Sequence, residues 1–146
     1  MTAVSVRLVF PLCAMFILTF VVLTRMFLIR KKSVQEGKVH LSYFKTYNVG
    51  SSIPEEVQAS RHFSNLFEAP VLYYLAVILG MLLPVESIIF LVLAWVYVAA
   101  RALHAYVHLT SNKVLIRMRM YGLGWLILIW MWILILAKAV VISAAL

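Results

Sequence analysis

The sequence has one cysteine, Cys13, which excludes an internal disulfide and any metal site built from cysteines. Set within an apolar run, Cys13 reads as a small hydrophobe and not as a nucleophile. Charge is scarce and one-sided. Of the 146 residues only 12% are charged, and 5 acidic residues face 13 Lys and Arg, for a formal net charge of +8. With 65% hydrophobic residues and a mean hydropathy of +1.02, so little charge excludes a soluble globular fold. A basic surplus can signal nucleic acid. No Lys/Arg-rich face alternates with stacking aromatics here, so no nucleic-acid partner is expected. No internal repeat or low-complexity tract is present either.

What the sequence does have is long apolar runs. Four of them, about 6–29, 61–83, 87–109 and 119–142, are long enough to cross a hydrocarbon core of about 30 Å. The expected fold is an all-α integral membrane protein, a single four-helix domain over 1–146. The first run is read as a retained helix, because it is too long for a signal peptide and has no small-residue cleavage site before Arg30-Lys31-Lys32. Leu83-Pro84-Val85-Glu86 is a tight turn that makes the second and third helices antiparallel neighbours. A long polar loop with Gly37, Gly50 and Pro54 follows the first helix, and a short basic loop precedes the fourth.

Charge sets the expected orientation. Arg25, Arg30, Lys31, Lys32, Lys38, Lys45 and Arg61 lie in or beside the first loop, and Lys113, Arg117 and Arg119 lie around the third. Only Arg7, Lys138 and Glu86 mark the opposite side. The positive-inside rule puts loops one and three in the cytoplasm and both termini on the other side.

Several polar residues interrupt the apolar pattern. Arg61, Asn65 and Glu68 are spaced i, i+4, i+7, which on one continuous helix places them on one face. Arg101, His104 and His108 follow an i, i+3, i+7 spacing on the third helix, and Arg117 and Tyr121 begin the fourth. By a rise of about 1.5 Å per residue, Glu68 lies about 10 Å inward of Arg61 and Arg101 about 12 Å below Leu109. These stripes meet in the cytoplasmic third of the bilayer, where ionisable groups face a bundle interior or a water-filled cavity.

Each residue also has a plainer explanation. Arg61 and Arg117 can snorkel to the interface, Glu68 and Arg101 can form a structural ion pair, and Asn65 can bond a neighbouring helix. His104 and His108 at i, i+4 could ligate a metal or haem, although helix-spaced histidines are commonly structural and no metal is expected. His62, on another face, reads as interfacial. The aromatics Trp125, Trp130, Trp132, Tyr73 and Tyr74 read as packing or lipid-facing, and Gly122 and Gly124 as sites of close helix contact.

Separate explanations leave the coincidence of depth unexplained. Arg61, Arg101 and Arg117 against Glu68 make a cationic pocket open to the cytoplasm. Its natural guest carries carboxylates for the arginine forks, an amine for Glu68 and a peptide group for Asn65. A bound thiol in such a field would favour its thiolate. Glutathione fits that description, as would other small anions.

At these residues the sequence resembles the MAPEG family, the membrane-associated proteins of eicosanoid and glutathione metabolism. The most specific part is Arg61-His-Phe-Ser-Asn-Leu-Phe-Glu68; the second is Arg101-Ala-Leu-His104, followed after a basic loop by Arg117 and Tyr121. The resemblance implies that Arg61, Asn65, Glu68, Arg101, His104, Arg117 and Tyr121 line a glutathione site, with Arg117 stabilising the thiolate. It also implies a homotrimer with sites between subunits. Ser64 stands where several members have an arginine, His108 where a tyrosine is usual, and Met118 where the prostaglandin E synthase branch has a serine. The resemblance therefore carries the family and not its eicosanoid substrates.

The expected function is a glutathione-dependent enzyme of transferase or peroxidase type, in a bacterial inner membrane or an endomembrane. Arg117, Tyr121 and His108 are its candidate catalytic residues, and a lipophilic electrophile would enter from the bilayer. The alternatives are a non-catalytic membrane scaffold or regulator of the same fold, and a haem or metal protein using His104 and His108.

Overall fold

The structure is a computed structural model that describes residues 3–46 and 54–145. Gly50, expected in the first loop, lies outside the described residues, as does the Lys45 side chain. The described residues form helices and no strands: α1 (Ala3–Arg7), α2 (Val9–Gln35), α3 (Tyr43–Thr46), α4 (Pro54–Asn65), α5 (Ala69–Leu82), α6 (Ile88–Leu109) and α7 (Val114–Ser143). Four stretches are long and apolar enough to cross a membrane: Val4–Gln35, Pro54–Leu82, Ile88–Leu109 and Val114–Ser143. They cover the four expected segments, and three reach well past the expected bounds.

Two prolines account for the interruptions. Proline has no N–H to donate, and its ring collides with the carbonyl of residue i−4. Pro11 thus separates α1 from α2 at Leu8, where the backbone stays near helical values. Pro70 acts more strongly. The second expected helix is two, with Leu66, Phe67 and Glu68 between them, and Glu68 adopts φ −98°, ψ −106°. The expectation of one continuous face through Arg61, Asn65 and Glu68 is therefore overturned. Glu68 leaves the helix and is re-aimed.

The bundle is built around α6, which packs most extensively on α7 and also touches α2 and α4; α5 lies on α7, and α4 lies on α2. The core stacks Tyr73 on Tyr97 (centroids 4.4 Å, planes 6° apart) and adds Phe90, Met15, Leu128 and Met131, all fully buried. Gly80 lets the α5–α6 hairpin close, since a Cβ there would fall 2.5 Å from Phe90 Cε1. The turn is secured by Val85 N–H on the Gly80 carbonyl at 2.9 Å. Outward faces remain apolar, with Phe10, Phe16, Phe20, Phe27, Trp130 and Leu136 exposed, as contact with a bilayer requires.

Candidate functional site

At one end of the bundle, α2, α4 and α7 surround a cleft of ≈ 640 Å³. It is lined by Met26, Arg30, Ser60, Arg61, Phe63, Ser64, Asn65, Glu68 and Arg117. A smaller cleft of ≈ 220 Å³ adjoins it, lined by Asn65, His104, Val114, Arg117, Met118 and Tyr121. Asn65 and Arg117 belong to both, so the two form one branched site. Further along α7, an apolar groove of ≈ 490 Å³ is walled by Leu72, Trp125, Leu128, Ile129, Trp132, Ile133 and Leu136.

The break before Pro70 creates the first polar contact. A continuous helix would use the Asn65 carbonyl internally, whereas here Arg101 Nη2 donates to it at 3.2 Å. Arg101 is almost fully buried, and its guanidinium lies 5.8 Å from the centre of the Tyr121 ring. Tyr121 Oη in turn donates to Glu68 Oε2 at 3.2 Å. Arg101 and Glu68 are thus joined through Tyr121, and the direct ion pair weighed above is not formed. Glu68 is solvent-exposed, so it presents a carboxylate to the cleft, while Arg101 supports the site from behind.

Arg117 is half-buried and lines both clefts. Its Nη1 donates to Asn112 Oδ1 at 2.7 Å, its carbonyl accepts from His104 Nδ1–H at 3.2 Å, and its Nε is buried with no partner. Arg61 is exposed at the rim of the larger cleft.

The structure gathers Arg61, Asn65, Glu68, His104, Arg117 and Tyr121 on the clefts. Arg101 stands behind them and His108 lies outside the cleft walls. His108 is buried against His62, with ring centroids 4.6 Å apart, and both rings sit near His104, at 5.8 Å and 5.7 Å. The interfacial placement expected for His62 is overturned. Glu56, Ala59 and His62 form the inward stripe of α4, so His62 points at α6 and is fully buried. Both ring nitrogens of His62 and of His108, and Nε2 of His104, have no hydrogen-bond partner. Among the described residues no three His, Cys, Asp or Glu side chains are placed to hold a metal ion, so the His104/His108 metal reading gains no support from this cluster.

Sequence reasoning missed the residues that anchor the site. Arg30, read only as part of a basic cluster, donates through Nε to Glu56 at 3.0 Å and through Nη2 to Ser60 at 2.8 Å, and Ser60 Oγ donates to Glu56 at 2.7 Å. Gln58 donates to the His108 carbonyl, and Arg25 to the Leu109 carbonyl at 3.1 Å, so two helices cap the end of α6. Beyond α2, Lys38 Nζ lies 2.5 Å from Glu36, and this bond holds the Glu36 carboxyl below its ordinary value. The i, i+4 spacing of Glu56 and Ser60 was the available signal, but nothing in it names Arg30 as the partner.

Comparison with known families matches residues 8–137, nearly the whole chain, to the model of the MAPEG family. No curated protein and no solved structure matches the chain.

Proposed function

The chain belongs to the MAPEG family of membrane proteins, and from that membership we propose a glutathione-dependent enzyme of transferase or peroxidase type. The supporting observation is the branched cleft, which sets the cations Arg61 and Arg117 beside the carboxylate of Glu68. Its larger arm, ≈ 640 Å³, has room for a tripeptide-sized guest. The unpartnered, buried Nε of Arg117 is a donor awaiting an anion, because an unmet N–H at that depth is costly.

When bound, glutathione supplies the nucleophilic sulfur. Arg117 is assigned to hold negative charge on that sulfur, and Arg61 to take a carboxylate with its planar fork. Glu68, oriented by Tyr121, is assigned the amine, and the Asn65 side chain a peptide group. Tyr121 contributes a hydroxyl at the junction of the two arms, and His104 fixes the backbone of Arg117. The apolar groove of Leu72, Trp125 and Trp132 is assigned the lipophilic second substrate, arriving from the bilayer. His108 is given no direct part in this reading, since it does not line the clefts. The assembly proposed is a homotrimer, with the open side of each cleft covered by a neighbouring copy; native mass spectrometry from detergent should show three copies.

The deciding test is ultraviolet titration of the bound glutathione thiol. Thiolate absorbance at neutral pH is expected. Arg117→Ala should shift its midpoint upward and lower turnover on the order of a hundredfold, the scale of one lost oxyanion-type donor. Demonstrated binding with no thiolate signal would sink the mechanism. Calorimetric binding left unchanged by both Arg117→Ala and Glu68→Gln would favour the scaffold reading.

A further inference from the structure

We infer that Asn112 is a positioning residue that fixes the Arg117 guanidinium for anion binding; the identity of the anion rests on the function proposed above, while the geometry does not. Asn112 lies in the turn between α6 and α7 with φ +48°, the one non-glycine residue of positive φ among those described. Most side chains resist this left-handed conformation, and asparagine tolerates it because its short amide bonds locally. The Asn112 N–H donates to the Val107 carbonyl at 2.8 Å, closing the C-terminus of α6. Its Oδ1 reaches α7 and accepts from Arg117 Nη1 at 2.7 Å.

Arg117 is thereby held at both ends. His104 Nδ1–H fixes its carbonyl, and Asn112 fixes its head. The perch itself is secured, because Gln58 and Arg25 bind the last carbonyls of α6. With Nη1 engaged, the Nε edge of the fork is left over, and Nε is the atom that is buried without a partner. A guanidinium is a rigid planar fork, so fixing one nitrogen sets the direction in which the other edge meets a bidentate anion. Asn112 joins two properties in one residue. Glycine would keep the turn and lose the acceptor, alanine would lose both, and aspartate would keep both.

The experiment uses the full chain in detergent micelles and has two readouts. The first needs no ligand: the Arg117 Nε–Hε nuclear magnetic resonance signal, assigned by its loss in Arg117→Lys, reports how rigidly the guanidinium is held. The second is the pH titration of the glutathione thiol. Asn112→Gly should speed water exchange of that Hε and weaken glutathione binding, each by about tenfold, the scale of one hydrogen bond to a charged group. It should also move the thiol midpoint upward. Asn112→Asp should restore the slow exchange. An Arg117 signal unchanged in Asn112→Gly, or equally loosened in Asn112→Asp, would overturn the inference. Should the glycine variant lose helix content by circular dichroism, the aspartate variant decides alone: its charged carboxylate is the stronger acceptor, so exchange slower than in the unaltered protein supports the clamp and exchange no slower removes it. Absence of glutathione binding by the unaltered protein would defeat the proposed function, and the ligand-free signal would still decide the role of Asn112.

Discussion

Glu56 shows how much a single residue in this protein depends on its partner. It is 1% exposed and receives Arg30 and Ser60, whereas Arg30 is 23% exposed and lines the larger cleft. The two halves of this ion pair are therefore unequal. Glu56→Gln leaves a cation with access to solvent and should cost about 1–2 kcal/mol, reduced from the buried-pair scale for that exposure. Arg30→Met leaves a buried carboxylate with only the Ser60 hydroxyl and should cost about 3 kcal/mol. Thermal unfolding in detergent would rank them, and an equal or reversed order would contradict this account. Residue identity at the site was legible in the sequence because Arg, Asn and Glu are costly in lipid and stand out in an apolar run. Asn112 was not, since its role lies in one backbone angle and one contact across a turn.

At the scale of elements, glycine and proline decide where helices touch and where they stop. Gly80→Ala would drive a Cβ to 2.5 Å from Phe90 Cε1 and 2.7 Å from Cζ, wedging α5 from α6. The expected cost is about 1–3 kcal/mol, partly recovered by adding Phe90→Leu. Gly122→Ala meets nothing within 4 Å and should be neutral or stabilising by up to about 1 kcal/mol through helix propensity. Melting temperatures of the three variants, measured together, test both halves. Pro70→Ala should let α4 and α5 join, returning the Asn65 carbonyl to the helix and withdrawing it from Arg101. Glutathione affinity should then fall by about tenfold, from a displaced Glu68 and a freed Arg101, as calorimetry would show. The helices themselves were readable from run length and apolar content. The break was also written in the sequence, as Pro70, but hydrophobic periodicity passes over a proline inside an apolar run.

For the whole molecule, four stretches among the described residues are long and apolar enough to cross a membrane, and an even number of crossings would bring both termini to one face. The orientation we propose, from the basic residues flanking the described loops and the positive-inside rule, puts the clefts on the opposite, cytoplasmic face. In a Cys13→Ser background, Ser111→Cys should react with a membrane-impermeant maleimide only once the cytoplasmic side is opened. Labelling from outside would invert the proposed orientation.

The sequence by itself determined the solvent, the number of spans and the types of side chain pooled near one end. Each of these follows from composition and run length, which are local properties of the chain. Tertiary structure alone decided that Tyr121 joins Glu68 to Arg101, that His62 turns inward to His108, and that Arg30 belongs to Glu56. Those pairings depend on the rotation of each helix and on where prolines interrupt it. A rotation of one residue, about 100°, exchanges a lipid-facing side chain for a buried one without altering any apolar count.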